Sequence, residues 1–462
     1  MRRRTMRNPL ACPLLAILVL ASAAWPARAQ QAPSPQSPEA ELPAEGAPPP
    51  ATADPTGFHF HGYLRSGFGV DGSGKGQSPF QAPLAGAKYR LGNEVETYLE
   101  TTFDYGLTTD GPDPAYFNTR ITLAYVAPTS QSNDFATTFS LREAYATARH
   151  VWTAQPNATF WAGARFYDRQ DVHIQDYYYR DPSGFGGGID DIALGDRLKL
   201  AAAWIGGSED ELNPDGTVPK SDLFRLNKNT FDFKLYGMTA RRARVSIAID
   251  LSHFNGDTVK TSDPPIVLSD NLGMGATGIV EWPFTNGRDK LAIQYGTGVA
   301  SDFRSVLTPP VGRTFLPGEH VDLSALWQFR IVNDFLLEHR GPWQLQAVTV
   351  YQELDNGAAA NNRVRWVSVG GRPVYRLGRF FSLATEAGWD HTAQSNLPGG
   401  SLFKLTVAPQ ITPELKFLSR PSLRAFATWA HWSDDFRGRI ATASYPDSVS
   451  GTSFGVQLES WW

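Results

Sequence analysis

Carboxylates recur at two-residue intervals near the start of the chain, a spacing that could support catalysis. Glu94, Glu96 and Glu100 fall on one parity of a run that also carries Arg90 and Tyr98. Because a β-strand sends alternate side chains to opposite faces, these carboxylates would share a face. Paired carboxylates can hydrolyse glycosides, but nothing in the sequence marks the environment of a general acid. The spacing fits a charged wall better, and we predict that the chain is not an enzyme.

A metal site is the second chemistry that the residue types permit. His59 and His61 would lie on one strand face, but a histidine pair lacks the third protein ligand that is usual for catalytic zinc. The only cysteine, Cys12, lies in the N-terminal basic and apolar segment, so no cysteine-based metal site or disulfide is expected in the mature chain. We therefore predict no metal and no other cofactor.

The elements that would hold these side chains alternate in polarity. In the first run, one parity is apolar and the other polar: Phe58, Phe60, Leu64, Phe68 and Val70 against His59, His61, Tyr63 and Arg65. The second run, from Tyr89 to Phe103, and the last run, from Ser453 to Trp462, alternate in the same way. Such alternation is typical of membrane barrels, with lipid on one face and a wet lumen on the other. An amphipathic edge strand of a soluble sheet would look similar in any single run.

The pattern continues along the chain without a composition break. No apolar run after the N-terminus is long enough to form a transmembrane helix. Roughly 400 residues, at about 22 residues per strand and loop, give about 18 strands, which is within the range of bacterial barrels. No repeating blade motif supports a soluble propeller. We therefore predict an all-β protein that forms a transmembrane antiparallel β-barrel.

The first residues predict export. Arg2, Arg3, Arg4 and Arg7 precede a short apolar run, and Ala27-Arg28-Ala29 is a small-x-small cleavage site, so residues 1–29 are predicted to be a signal peptide. Residues 30–57 form a Pro/Ala-rich segment that cannot bury a core and is predicted to be a disordered leader. Residues 58–462 would form the barrel. Loss of the signal peptide removes arginines and no acid from a chain of formal charge −4, so nucleic-acid binding is not expected.

Several motifs, in one order, make the sequence resemble a known family. The motifs are His61-Gly62-Tyr63-Leu64-Arg65-Ser66-Gly67, Lys88-Tyr89-Arg90-Leu91-Gly92-Asn93-Glu94, Trp161-Ala162-Gly163, Asp171-Val172-His173, Arg420-Pro421 and the terminal Trp461-Trp462. They resemble maltoporins, the sugar-specific porins of the Gram-negative cell outer membrane. The resemblance implies a homotrimer of 18-stranded barrels in the lipid bilayer, each narrowed by an inward-folded third loop that acts as a constriction. Its implied function is facilitated diffusion of maltose and maltodextrins.

The resemblance also assigns an aromatic path on which sugar rings would stack. The matched positions are Tyr63, Tyr98, Phe135, Trp366 and Trp461. Phe135 stands where the family has a tryptophan that a neighbouring subunit contributes. Trp366 is matched to within one residue, because the family has two adjacent tryptophans there. A mid-barrel phenylalanine of the path has no counterpart, and the sequence offers Gly278 or Ile279 instead.

Charged partners for the sugar hydroxyls are implied in the same way. Arg65, Arg90, Glu100 and Arg142 match barrel-wall positions, and Arg169, His173, Asp176, Tyr178 and Asp181 match the constriction loop. Sucrose-specific relatives replace the residues equivalent to Arg169, Tyr178 and Asp181, so the resemblance favours α-1,4-glucans. A porin for another carbohydrate such as sucrose, or a general diffusion porin, is the alternative.

Overall fold

The computed structural model describes residues 56–94, 96–128, 138–207, 228–259, 264–306, 308, 310–313 and 315–462. The predicted signal peptide, almost all of the predicted leader and Phe135 lie outside these residues. The predictions for those parts of the chain therefore stay predictions.

Nearly all regular structure in the described residues is β-strand. The strands are β1 Gly57–Asp71, β2 Glu96–Thr108, β3 Tyr116–Pro128, β4 Thr138–Arg149, β5 Thr159–Arg165, β6 Gln170–Val172, β7 Tyr177–Arg180, β8 Gly184–Ala193, β9 Lys199–Gly207, β10 Lys228–Ala240, β11 Ala243–Val259, β12 Ile266–Phe284, β13 Gly287–Thr297, β14 His320–Val321, β15 Trp327–Arg340, β16 Trp343–Asp355, β17 Arg363–Arg376, β18 Phe381–Gln394, β19 Gly400–Ile411, β20 Ser422–Trp432 and β21 Ser450–Trp461. Three short 3₁₀ turns lie in loops, at Gly298–Ala300, Leu323–Ala325 and Asp434–Phe436.

Eighteen of these strands form one closed antiparallel barrel, as the sequence predicts. Only β6, β7 and β14 lie outside the barrel wall. The barrel closes because β1 pairs with β2 on one side and with β21 on the other, where Tyr63 faces Trp461 and Asp71 faces Ser453. Closure leaves no sheet edge, which a membrane barrel requires.

The two faces of the wall differ in polarity in the way that the alternation predicts. Buried and exposed residues alternate along the whole of β20. Leu423 and Trp429 point outward, whereas Arg424 and Thr428 point into the lumen. An apolar outer face is what lipid requires, and a polar inner face suits a hydrated channel.

The two ends of the barrel also differ. Residues 241–242, 285–286 and 341–342 make two-residue turns at one end, where both ends of the described chain also lie. The longest connections, residues 72–95 and 298–326, lie at the other end. Short turns mark the periplasmic end of outer-membrane barrels, and long loops mark the extracellular end.

In the part of the chain that the structure describes, no helix is long and apolar enough to cross a lipid bilayer.

The third long loop, residues 166–183, folds inward and is called the constriction loop below. Its strands β6 and β7 form a hairpin that reaches the far wall of the barrel. Tyr177 Oη donates to Gln352 Oε1 on β16 at 3.0 Å, and Gln175 Nε2 donates to Ser368 Oγ on β17 at 2.7 Å. The predicted inward third loop is therefore confirmed.

The prediction of one continuous strand from Tyr89 to Phe103 is wrong in its first half. β2 begins only at Glu96, and the preceding residues form the end of a first long loop that also folds into the lumen. Leu91 is fully buried there, and its N–H donates to Glu386 Oε1 at 3.0 Å. The Asn93 side chain pairs with the backbone of the same loop, because its Oδ1 accepts a hydrogen bond from Phe80 N at 2.7 Å. The implied wall position of Arg90 is corrected with it, because Arg90 lies on this loop.

Candidate functional site

Three of the predicted aromatic residues form a continuous row on the inner face of neighbouring strands. The ring centroids of Tyr63 and Trp461 are 6.4 Å apart with nearly parallel planes, and those of Tyr63 and Tyr98 are 6.1 Å apart. The row runs across β21, β1 and β2, because Tyr63 pairs directly with Trp461 in the ladder. The predicted lumen parity of all three side chains agrees with this placement.

A buried carboxylate, Glu459, organises the charges beside this row. Its Oε1 accepts from Tyr63 Oη at 3.1 Å and lies 3.1 Å from Arg90 Nη2. Its Oε2 lies 2.5 Å from Arg420 Nη2 and 3.2 Å from Arg424 Nη1. Three guanidinium groups therefore share one acid. The lumen parity of Glu459 is visible in the sequence, but its partners come from distant segments and carry no local signal.

The glutamates that could have formed a catalytic pair are held in ion pairs. Glu94 Oε1 lies 2.7 Å from Arg90 Nη2 and 3.4 Å from Arg65 Nη1. Glu96 also pairs with Arg65, whose guanidinium lies 5.1 Å from the ring centroid of Tyr98. These contacts build a charged wall.

A β-bulge places two consecutive side chains of β4 inside the lumen. The pairing of β3 with β4 shifts register between Thr122 and Leu123, opposite Arg142 and its neighbour Glu143. Arg142 Nε lies 3.8 Å from Glu100 Oε1, and Glu143 accepts from Thr122 at 2.8 Å. A bulge can aim an extra residue at one face of a strand, which explains why parity alone does not place Arg142.

Several of the predicted site residues lie together on the constriction loop. The Arg169 guanidinium lies between two rings, 4.2 Å from the centroid of Phe166 and 4.0 Å from that of Tyr178. Asp181 Oδ1 lies 3.3 Å from Arg169 Nε. Burial acts to raise the pKa of Asp181, but the charges of Arg169 and Arg304 and a hydrogen bond from Ser183 together outweigh burial and hold that pKa below its usual range. Asp181 is therefore an anion, and Arg169, Tyr178 and Asp181 form one cluster on the constriction loop.

His173 and Asp176 connect the constriction loop with the charges around Glu459. Asp176 Oδ2 accepts from Arg65 Nη1 at 3.0 Å, and His173 Nε2 lies 3.0 Å from Arg420 Nη2. Burial lowers the pKa of His173 well below its ordinary value, so the imidazole is neutral. A neutral ring nitrogen can accept from Arg420, which ties the constriction loop to the periplasmic end of the barrel.

An arginine that the sequence analysis missed fixes the constriction loop to the wall. Arg180 is fully buried, with its Nε 2.9 Å from Asp168 Oδ2 and its Nη1 2.6 Å from Asp250 Oδ2. It also pairs with Asp232 on β10. In the sequence, Arg180 follows a run of tyrosines, and its three partners lie 12, 52 and 70 residues away, so only the fold reveals them.

Trp366 lies inside the barrel but away from the aromatic row. Its ring is fully buried, its Nε1 donates to Asp390 Oδ1 at 2.9 Å, and the edge of Tyr177 lies against it at 5.1 Å. Of the two candidates for the missing mid-barrel aromatic, Ile279 shares the inward parity of β12, whereas Gly278 has the opposite parity. An aliphatic side chain therefore occupies that part of the lumen.

The two histidines of β1 make separate contacts. His61 Nε2 lies 3.4 Å from Asp104 Oδ2, and His59 Nε2 lies 3.1 Å from the Thr56 carbonyl. Within the residues described, no three His, Cys, Asp or Glu side chains are grouped to hold a metal ion.

A closed barrel of eighteen strands, apolar outside and charged inside, with a loop folded across its lumen, is an outer-membrane porin. Residues 58–462 match the protein-family model described as LamB porin. The chain therefore belongs to the LamB porin family and is a channel of the Gram-negative outer membrane, not an enzyme.

Solved porin structures match most of the chain at low sequence identity. Salmonella typhi OmpF in complex with daunomycin is 8% identical, over 88% of this chain and 97% of that one, with a TM-score of 0.49. The anion-selective porin from Comamonas acidovorans is 10% identical, over 88% and 99%, with a TM-score of 0.43. The channel DcaP of Acinetobacter baumannii is 11% identical, over 87% and 96%, with a TM-score of 0.45.

Proposed function

We propose that this porin carries maltose and maltodextrins by facilitated diffusion. The row of Trp461, Tyr63 and Tyr98 on the lumen face is the observation that carries the proposal. A pyranose has an apolar face, which an aromatic ring can cover, and a rim of hydroxyl groups, which charged side chains can bind through strengthened hydrogen bonds. Arg65, Arg90 and Glu459 stand beside the row and could serve the rim.

The constriction loop supports a sugar with an extended chain. Arg169, Tyr178 and Asp181 form one cluster on this loop, and the family resemblance associates these three residue types with α-1,4-glucans rather than sucrose. Several weak sites in series allow a ligand to enter and also to leave, as conduction requires. Ile279 interrupts the aromatic series, and Tyr63 and Tyr98, at 2% and 1% exposure, are covered by neighbouring side chains nearly as completely as Trp366. We therefore expect fewer stacking platforms than a complete path would offer, with Trp461 the most accessible of them.

Further parts of the proposal concern the whole assembly. The functional unit is a homotrimer, in which Phe135 of a neighbouring subunit would complete the path. Residues 1–29 direct export and are removed, and residues 30–57 remain as a leader on the periplasmic side, where the described part of the chain begins. The two termini of the barrel lie at the short-turn end, in keeping with that position.

Sugar block of ion current tests the proposed substrate. In planar bilayers, maltohexaose should reduce the conductance of the trimer at lower concentration than maltose, and sucrose should block least, because a longer glucan covers more platforms. Trp461→Ala should weaken the block by maltohexaose about 2- to 12-fold, the equivalent of roughly 0.5–1.5 kcal/mol for one lost stacking contact.

Trp429→Ala is the matched control, because Trp429 points outward from β20 and should leave the block unchanged. Equal block by maltohexaose in the native channel and in correctly assembled Trp461→Ala trimers would remove Trp461 from the path. Stronger block by sucrose than by maltose would identify a sucrose porin. No block by any sugar would identify a general diffusion porin.

Tyr178 is predicted to limit the bore. Its ring covers Arg169 and projects from the constriction loop, so Tyr178→Ala should raise single-channel ion conductance and weaken sugar block about 2- to 12-fold. Tyr375→Ala, on the outer face of β17, serves as the control. Native conductance together with native sugar block in Tyr178→Ala would show that this ring does not border the channel.

A further inference from the structure

One periplasmic turn is longer than its neighbours and bends across the mouth of the barrel. The turn, residues 412–421, joins β19 to β20 and is called the exit turn below. Phe417 N donates to the Glu338 carbonyl at 3.3 Å, and Leu418 N donates to Glu338 Oε2 at 3.3 Å. Glu338 lies on β15, which three strands separate from β19 in the wall. The exit turn therefore spans the opening instead of following the rim.

The exit turn is packed firmly in this position. The Phe417 side chain is 6% exposed and belongs to the same buried apolar cluster as Val172 and Ile174 of the constriction loop. The Arg372 guanidinium on β17 lies 5.9 Å from the Phe417 ring centroid. The constriction loop, entering from the extracellular end, and the exit turn, entering from the periplasmic end, thus meet inside the barrel.

Arg420, at the end of the exit turn, covers the last ring of the aromatic row. Its guanidinium carbon lies 4.2 Å from the centroid of Trp461. Arg420 Nη2 lies 2.5 Å from Glu459 Oε2 and 3.0 Å from His173 Nε2. Arg420 Nη1 donates to the Ser419 carbonyl at 2.9 Å. Tyr63 and the edge of His173 flank the same indole, at 6.4 and 6.0 Å. A sugar ring and this guanidinium cannot lie on one face of Trp461 together.

We propose that Arg420 and the exit turn form a second constriction at the periplasmic end of the channel, where a passing sugar must displace the guanidinium from Trp461. The sugar part of this inference rests on the proposed function, whereas the narrowing of the bore does not. Arg420 competes for the stacking face by a cation–π contact and so lowers affinity at the last platform. Weak binding at this point favours release into the periplasm, because a ligand must leave as well as enter.

Arg420→Ala tests the second constriction. Glu459 keeps Arg90 and Arg424, so the barrel should still assemble. The variant should show higher single-channel ion conductance, and it should bind maltohexaose about 2- to 12-fold more tightly, because the freed indole gains a stacking contact. Arg379→Ala is the matched control, since Arg379 also covers an aromatic ring, Phe380 at 4.8 Å, but is exposed in another turn at the same end. The control should behave like the native channel.

Two further variants show how Arg420 acts. In Arg420→Ala/Trp461→Ala the gain in maltohexaose affinity should disappear, because the two residues are coupled. Arg420→Lys keeps the positive charge beside Glu459 but removes the planar cover, so it should reproduce the gain. If Arg420→Lys matches the native channel, or if the gain survives without Trp461, covering of the indole is refuted.

Ion conductance separates this inference from the proposed function. Native conductance in both Arg420→Ala and Arg420→Lys would overturn the second constriction, whatever the response to sugar. A different outcome is that maltohexaose does not block the native channel but both variants conduct better than it does. That outcome would overturn the sugar proposal and retain the second constriction. If Arg420→Ala does not assemble, conductance of Arg420→Lys decides.

Discussion

Arg180→Leu is expected to release the constriction loop from the barrel wall and to give a channel with larger and noisier conductance. Arg180 is buried and pairs with Asp168, Asp232 and Asp250, so leucine would leave three buried carboxylates without their shared cation. Removal of one partner from a buried ion pair typically costs about 3–5 kcal/mol. Since each 1.4 kcal/mol is tenfold, the balance between docked and released loop should shift by roughly 10²- to 4 × 10³-fold.

Single-channel recording in planar bilayers measures this directly, as open-channel noise and as new conductance levels above the native one. Arg244→Leu is the control, because Arg244 forms an ion pair with Glu281 at 3.3 Å but its side chain is about half exposed. An exposed pair contributes about 0–1 kcal/mol, so this variant should conduct normally. A quiet, native conductance in correctly folded Arg180→Leu would show that other contacts hold the loop.

The wall of the barrel could be predicted from the sequence because strand alternation is a local property. Phe58, Phe60 and Phe68 face outward, and Tyr63 and Arg65 face the lumen, as their parity indicates. The same logic failed at Tyr89 and Leu91, which alternate with charged neighbours but lie in a loop. Loops partly fill the lumen, and their apolar side chains are buried against one another. An apolar residue in the sequence can therefore face either the lipid or the packed interior, and its polarity does not show which.

The charge network could not be predicted, because its partners are far apart in the chain. Glu386 binds Arg372 at 2.6 Å and Lys404 at 2.9 Å, and it also accepts from the N–H of Leu91 in the first loop. Sequence parity places such an acid in the lumen, but it does not identify which cations converge there. The inward direction of the exit turn is hidden for the same reason, since its composition indicates a turn and not where the turn points.

The network holds the loops together with the buried apolar cluster inside the barrel, to which Leu91 and Ile174 belong. Lys404 Nζ donates to the Leu91 carbonyl at 2.7 Å, and Arg330 Nη1 donates to the Tyr179 carbonyl at 2.6 Å. Charged wall residues thus bind loop backbones as well as acids, and charge-assisted bonds are about twice as strong as neutral ones. A channel built in this way combines rigid loops with a polar lining that sugar hydroxyls can share.

Glu459→Gln is expected to destabilise the closing strand and to make the channel more selective for anions. Glu459 is buried on β21 and is shared by Arg90, Arg420 and Arg424. Loss of its charge from a buried network should cost about 3–5 kcal/mol of unfolding free energy. The variant keeps three cations beside the lumen with one acid fewer, and a net positive lining attracts anions.

Two measurements follow from this expectation: the denaturant midpoint of unfolding in lipid vesicles should fall, and the reversal potential in a salt gradient should shift toward that of the anion. Glu353→Gln is the matched control, because Glu353 also faces two arginines, at 3.7 and 4.0 Å, whose side chains are more than half exposed. Solvent screens that pair, so its loss should cost no more than about 1 kcal/mol.

The opposite result would be that Glu459→Gln changes the unfolding midpoint and the reversal potential no more than Glu353→Gln does. The arginines would then be held by their other contacts: Arg90 by Glu94, Arg424 by Gln410 and Arg420 by the exit-turn carbonyls. The aromatic row would then keep its charged flank without Glu459, and the acid would be a tuning residue for ion selectivity rather than the link that fastens β21 to the rest of the lumen.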